Sequence, residues 1–567
     1  MDKVYDVIVI GSGAAGCTAA LTAAHAGLRV TILEKTRYVG GSTAVSGGAI
    51  WIPGTRFQAR AAADDRAKVL TYLQQFFNNH ADPTMLKAFL DEGPRAVEFL
   101  EANTALRFQA RPLAPDYRSE LPGAARNGRT IDVMPFDGRE LGEAFDWIRP
   151  PRPEFMLFGG MMVNGRDIDA LLGVASSLSR LAYSAGLISR FLLDRVRYSR
   201  GTRLVMGNSL VGRLLKSVLD AGIDLRRDTR VEELIRQDGA VRGVIVSHNS
   251  KIMRLLARHG VVLAAGGVPA DKRIAQSVLP FAGLHRTVAP QSNDGDGVRL
   301  GLAAGGRLAD NNVGPAHLTP VSILRSTDGG ETVFPHLILD RQKPGLIAVG
   351  RDGRRFVNEA FSYHDFVLAM YAHQEAVPAY LICDSRFLWR YGLGLVKPLQ
   401  VSARRFVRAG YLIQAPTIEQ LAGRIGVPPG VFAQTVERNN DAAVSGVDAD
   451  FGRGTSLYER HLGDPDHAPN PCIGPIEKPP FCAVQVFPGD LGSALGLVAD
   501  DRARVLDGQN APIPGLYCCG ADMNSIFAGT YPGAGITLGP ALTFGYIAGR
   551  ELASCGRPAD DPRSVRA

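Results

Sequence analysis

Cysteine is sparse in this 567-residue chain. The seven present (Cys17, Cys383, Cys472, Cys482, Cys518, Cys519 and Cys555) are odd in number, include an adjacent pair and show no zinc-ligand spacing, which excludes a disulfide framework and leaves no zinc motif. No apolar run reaches the roughly 18 to 20 residues that cross a bilayer. The start, MDKVYDVIVIGSG, enters an apolar strand without the basic region, apolar core and small-residue cleavage site of a secretory leader. These absences predict a reducing, cytoplasmic setting. There is no internal repeat or low-complexity tract. Charge of one sign is not in bulk either: 63 Lys+Arg against 56 Asp+Glu leave +7, small for the length, so nucleic acid is not an expected partner. With 46 % hydrophobic and 21 % charged residues, the composition excludes disorder, and the length predicts several structural units of about 150 residues.

Glycine is what the chain has in excess, 64 residues where about 7 % is usual, and it is clustered. Residues 4–10 (VYDVIVI) read as a buried parallel strand running into Gly11, Ser12, Gly13, Ala14, Ala15 and Gly16, followed by a helical stretch of small residues. This strand, glycine turn and helix order is the dinucleotide fingerprint. Gly11 permits the turn, Gly13 admits a pyrophosphate, and Gly16 lets helix pack on strand, with Ala14 and Ala15 in the first turn facing the phosphates. A second strand, LRVTILEK, ends at Glu34 and Lys35; Glu34, 18 residues beyond Gly16, suits a ribose diol.

Residues 39–53 continue with Gly40, Gly41, Ser42, Thr43, Ser46, Gly47 and Gly48, bare amides and hydroxyls for an extended diphosphate and ribityl chain. Here the sequence resembles flavoproteins of the fumarate reductase and 3-ketosteroid dehydrogenase superfamily, which bind FAD extended. The segment has no histidine, the residue through which some members attach flavin, so FAD is expected to be non-covalent. The resemblance implies an α/β fold: a discontinuous Rossmann-like FAD-binding domain with a mostly parallel sheet and an inserted α+β catalytic cap. It assigns residues 1–289 and 488–567 to the FAD domain and 290–487 to the cap. Strands are expected over 224–235, 243–246 and 260–267. Val231 is placed by the adenine, Ala265 and Gly266 at the strand closing the FAD domain, and Gly520 and Asp522 at the ribityl or ribose hydroxyls.

Three further segments narrow the resemblance to the 3-ketosteroid Δ1-dehydrogenases: PDYRSELPG with Tyr117, GRRFVNEAFSY with Tyr363, and GTYPGAGITLG with Tyr531 and Gly535. Desaturating a carbon pair beside a ketone removes a proton from one carbon and a hydride from its neighbour; flavin takes the hydride. Proton loss requires donors for the charge growing on the ketone oxygen, and a base. Tyr531 and the Gly535 N–H, four residues apart across a Pro-Gly turn, suit that oxygen. Tyr363 is the expected base and Tyr117 its relay. An ordinary tyrosine has a pKa of about 10, so phenolate needs support from its neighbours. The amides of Ile536, Thr537 and Leu538 open a helix aimed at the flavin pyrimidine. Residues 155–163 (FMLFGGMMV) read equally as pocket lining or core.

Residues 178–203 carry six arginines against Asp194 alone, interleaved with Leu, Ile, Phe and Tyr. Such a segment is either a surface that meets the inner face of an anionic membrane or the solvated side of a helix beside the active site. The expected partners are a 3-ketosteroid and a quinone-like or protein electron acceptor. Three other readings stay open: desaturation at the 4,5 bond, dicarboxylate chemistry as in fumarate reductases, for which His317 stands near a substrate position, and a flavin-binding protein without turnover.

Overall fold

The structure, a computed structural model, describes residues 3–58, 66–77 and 80–555. β1 (Lys3–Ile10) encloses Val7, Ile8 and Val9 completely, as a strand covered on both faces requires. α1 (Ala14–His25) is buried from Ala14 to Ala23, which its run of small residues permits. There follow β2 (Val30–Leu33), α2 (Leu178–Asp194), β3 (Asp224–Arg226), β4 (Thr229–Gln237), β5 (Ala240–His248) and β6 (Lys251–Leu263). They form a sheet of order β3-β2-β1-β6-β5-β4. The strand expected over 224–235 divides in two, because Asp228 takes φ +52: β3 lies parallel to β2, whereas β4 runs antiparallel to β5.

A second sheet comprises β7 (Arg286–Thr287), β8 (Ala316–Arg325), β9 (Glu331–Pro335), β10 (Leu346–Val349), β11 (Ala379–Cys383), β12 (Leu412–Ala415) and β13 (Phe481–Ser493). The 13-residue β13 is its spine. Its first half pairs with β11 and β12 and its second with β8 and β7. α3 (Tyr363–Ala372) packs on this sheet, burying Phe366, Val367 and Met370 in the cluster that holds Leu318, Leu381 and Val484.

After β13 the chain returns to the first sheet. β14 (Arg504–Leu506) pairs with β15 (Pro512–Cys518), and β15 lies parallel to β6 through Val261↔Leu516. α4 (Leu538–Ser554) then crosses α1 at close range. A Cβ on Gly545 would sit 2.5 Å from the Ala15 carbonyl oxygen, and one on Gly549 2.5 Å from Thr22 Cβ, so the crossing requires hydrogen at both positions.

Residues 155–163 are core at one end and exposed at the turn. Met156–Leu157 and Met161–Met162 make a short hairpin that buries Met161, Met162 and Val163 but turns Phe158 outward, 68 % exposed.

Candidate active site

The N-terminal turn builds a cradle. Gly11, at φ +107, brings its Cα so close to β6 that a Cβ would fall 2.1 Å from the Ala264 oxygen. Gly13 caps α1 without a side chain. Cβ atoms on Gly41 and Gly47 would meet nothing within 4 Å, so open space faces both. Ser12 joins the two glycine segments: its hydroxyl donates to Glu34 Oε2 (2.6 Å) and accepts from the Gly40 N–H (3.1 Å). Thr43 Oγ1 accepts from the Ala14 N–H (3.0 Å), and Ser42 Oγ from Asn293 Nδ2 (2.9 Å), which also donates to the Gly266 oxygen. Ser46 turns back on the Thr43 carbonyl, and Val231 is buried in β4. A helix start whose own cap residue has no side chain, open glycine faces and a hydroxyl-lined floor fit an extended FAD.

Two expected cofactor residues are engaged otherwise. Lys35 forms ion pairs with Asp294 and Asp296. Asp522 accepts from the Ala265 N–H (2.6 Å) and the Gly267 N–H (2.8 Å), and burial pushes its carboxyl up to about 6; it reaches a flavin hydroxyl only through the lone pairs these amides leave.

Three distant segments meet beyond the cradle. The Tyr117 N–H donates to the Pro532 oxygen (3.0 Å), and Tyr72 Oη donates to the same oxygen (2.6 Å). Beneath Tyr117, Asp116 is buried and accepts from Trp51 Nε1 (3.0 Å), the Ala125 N–H (2.8 Å) and Arg129 Nη1 (2.6 Å). The Tyr363 loop is held by another buried ionic cage. Arg355 binds Glu359 and Asp448, Arg453 reaches Glu359 at 3.2 Å, and Ser362 caps α3 so that Tyr363 is its first residue. Burial opposes the charge on Glu359, yet Arg355 and Arg453 hold its pKa below the ordinary value.

These supports place the Tyr117 and Tyr363 hydroxyls 2.8 Å apart. The Tyr531 ring stacks on Tyr117 (centroids 5.5 Å, planes 3° apart) and meets Tyr363 edge-on at 5.1 Å. Burial pushes Tyr363 and Tyr117 well above the ordinary tyrosine value, reinforced at Tyr363 by the Tyr117 and Tyr531 hydroxyls, and pushes Tyr531 up to about 12 against a lowering hydrogen bond with Tyr363. The phenols are thus neutral at rest. His317 and His364 flank Tyr531 at 5.5 and 5.9 Å; burial lowers them to about 4 and about 3, so they too are uncharged at neutral pH.

Glycine at 535 is demanded by the backbone beside it. At φ +100 its Cβ would lie 2.6 Å from the Ala49 carbonyl carbon, so backbone, not substrate, occupies that side. The Ala534 carbonyl accepts from Thr130 Oγ1 (3.0 Å). A trans peptide points its N–H opposite its C=O, so Thr130 fixes the direction of the Gly535 N–H.

Sequence reasoning missed Tyr458. Its ring packs at 4.8 Å on Tyr117, and its buried hydroxyl has no hydrogen-bond partner among the described residues. The spacing Ser456–Glu459 signals a helix start, but nothing local tells which face of that helix meets Tyr117.

A family model described as FAD binding domain matches residues 6–538. The chain is 34 % identical to a 3-oxosteroid 1-dehydrogenase of Mycolicibacterium smegmatis, over 97 % of each chain. The chain belongs to the 3-oxosteroid 1-dehydrogenase family of FAD-binding flavoproteins. It is accordingly an FAD-dependent oxidoreductase acting on a CH–CH bond. The fold agrees with the crystal structure of a 3-ketosteroid Δ1-dehydrogenase from Sterolibacterium denitrificans in complex with 1,4-androstadiene-3,17-dione, at TM-score 0.90 and 35 % identity, covering 98 % of this chain and 100 % of that one. A 4-oxocyclohex-2-ene-1-carboxylate 5-dehydrogenase of Sinomonas cyclohexanicum is 39 % identical over 99 % of this chain and 95 % of its own. No described helix is long and apolar enough to cross a membrane.

Proposed function

We propose that the enzyme desaturates the 1,2 bond of 3-ketosteroids, with residues 1–289 and 488–567 forming the FAD domain and 290–487 the cap. The observation that carries this reading is the Tyr117–Tyr363 hydroxyl pair beside Tyr531 and the Gly535 turn. The cradle from Gly11 to Gly48 and the turn at Gly520 would hold FAD, which when bound would supply the acceptor for the hydride at C1. Tyr531 Oη and the Gly535 N–H donate to the C3 oxygen and stabilise the charge that grows there. Tyr363 Oη receives the C2 proton as its own proton moves to Tyr117, which passes its hydroxyl proton on to solvent. This relay avoids a free phenolate, which burial disfavours at rest. His317 and His364 are neutral walls, suited to an uncharged substrate.

Anaerobic addition of a saturated-ring-A 3-ketosteroid should bleach the visible flavin band and yield the Δ1 product by NMR; a product unsaturated at the 4,5 bond would overturn the regiochemistry. A second reading follows from the Sinomonas relative, namely a compact ring ketone carrying a carboxylate. It is favoured if 4-oxocyclohexanecarboxylate bleaches the flavin and steroids do not.

We further propose that α2 rests on the inner face of an anionic cytoplasmic membrane, near a quinone-like or protein electron acceptor. Leu178, Leu193 and Val196 are 84, 73 and 80 % exposed among arginines, the composition of an interfacial helix.

A further inference from the structure

The cap carries a second surface of the same chemistry. Residues 385–418 contain no Asp or Glu, while Arg386, Arg390, Lys397, Arg404, Arg405 and Arg408 lie among them. With residues 178–203, this stretch holds more positive charge than the net +7 of the whole chain. Arg390 pairs with Asp464; Arg404, Arg405 and Arg408 face no carboxylate among the described residues. The same segment exposes large apolar side chains. Val401 is 92 %, Trp389 52 % and Leu399 50 % exposed, and the Leu399 N–H donates to the Trp389 oxygen (2.8 Å), bringing those two together.

This surface adjoins the α2 region. Lys397 Nζ donates to the Met156 carbonyl (2.5 Å), at the root of the hairpin whose tip is the exposed Phe158. The same hairpin packs Met161 and Val163 against Phe191 of α2. Basic and apolar groups therefore continue from α2 across the hairpin to the cap. Unpaired arginines between outward apolar side chains complement an anionic headgroup layer above acyl chains, whereas a protein partner of ordinary surface would leave those charges unmatched.

We propose that residues 385–408 of the cap form a second contact with the same anionic bilayer, so that membrane binding spans both domains. This rests on the membrane reading of α2. The chain has three tryptophans. Trp51 is fully buried and Trp147 lies under Arg227 at 4.2 Å, which leaves Trp389 as the one placed to touch lipid.

The FAD-loaded full chain is mixed with phosphatidylcholine vesicles containing phosphatidylglycerol and acyl chains brominated near the headgroup. Bromine should quench Trp389 fluorescence, and Trp389→Phe should remove that quenching without weakening sedimentation on unbrominated vesicles by more than a few-fold. The pair Arg404→Glu with Arg405→Glu should lower partitioning about thirtyfold, with flavin content and bleaching by dispersed substrate unchanged. Vesicle binding with no quenching and an unaffected charge variant overturns the cap contact while leaving α2 as the membrane surface. Absence of vesicle binding by the wild type overturns both readings. A charge variant that changes the sedimentation coefficient without vesicles assigns the surface to contacts between copies and overturns this proposal.

Discussion

At Tyr363 a hydroxyl 2.8 Å from a second phenol sits where burial keeps both neutral. Under the proposed mechanism, Tyr363→Phe removes the proton acceptor and should lower kcat by about 10²- to 10⁴-fold. Exchange of the proton beside the ketone, followed by deuterium incorporation, should vanish with it. Tyr117→Phe keeps the acceptor but ends the relay, so the loss should be smaller and most pronounced at low pH, where the phenolate is rarest. Thr130 offers a sharper test because it touches no reacting atom: its hydroxyl fixes the Ala534 carbonyl and so aims the Gly535 N–H. Thr130→Val should lower kcat by about tenfold or more, toward the cost of losing one oxyanion donor, with KM less affected, and Thr130→Ser should restore it. The three tyrosines and Gly535 were legible because each lies in a short segment with a family pattern. Thr130, Asp116 and Tyr458 were not, since their roles depend on which backbone or ring they meet across hundreds of residues.

Among the elements, α1 and α4 depend on hydrogen at their crossing. Gly545→Ala drives a methyl into the Ala15 carbonyl and should cost about 1–3 kcal/mol, read as a lower Tm. It should also weaken FAD retention, because Ala15 belongs to the first turn of the phosphate-facing helix. The loop ahead of α3 responds to acid. Glu359 has a folded pKa below its ordinary value of 4.5, so its contribution is fully present above that value and is lost as pH falls through the folded one. Glu359→Gln should therefore destabilise the protein by about 3–5 kcal/mol at pH 7, and urea titrations should show the gap to wild type narrowing below about pH 4.5. The β1 and α1 elements could be read directly, since a two-sided buried strand and a small-residue helix leave plain composition signals. The division of 224–237 into β3 and β4 was not visible, because a single Asp at positive φ carries no reliable mark in sequence.

For the molecule as a whole, the glycine clusters and a modest positive charge pointed to different things. The glycines marked the nucleotide turn and the Tyr531 loop. The charge became informative only when the fold linked residues 178–203 to segment 385–408, far apart in the chain, through the hairpin that holds Met156 and Met161. Residues 178–203 stand out in the sequence by six arginines interleaved with apolar side chains, whereas 385–408 is marked mainly by the lack of acidic residues. Salt should expose this distribution: raising ionic strength weakens long-range attraction to anionic vesicles while leaving turnover of a neutral dissolved substrate nearly constant.

The pairing of β15 with β6 also fixes an order of events during synthesis. Until residues 516–518 leave the ribosome, Val261, Val262 and Leu263 present an open strand edge, and Pro532 is not yet there to receive the Tyr117 N–H. A nascent chain that has passed Leu263 but not reached Leu516 therefore carries an incomplete sheet, exposed to wrong strand partners, and its Tyr117 loop lacks the Pro532 carbonyl that holds it. Chaperone demand should fall on the long interval between synthesis of Leu263 and synthesis of Leu516.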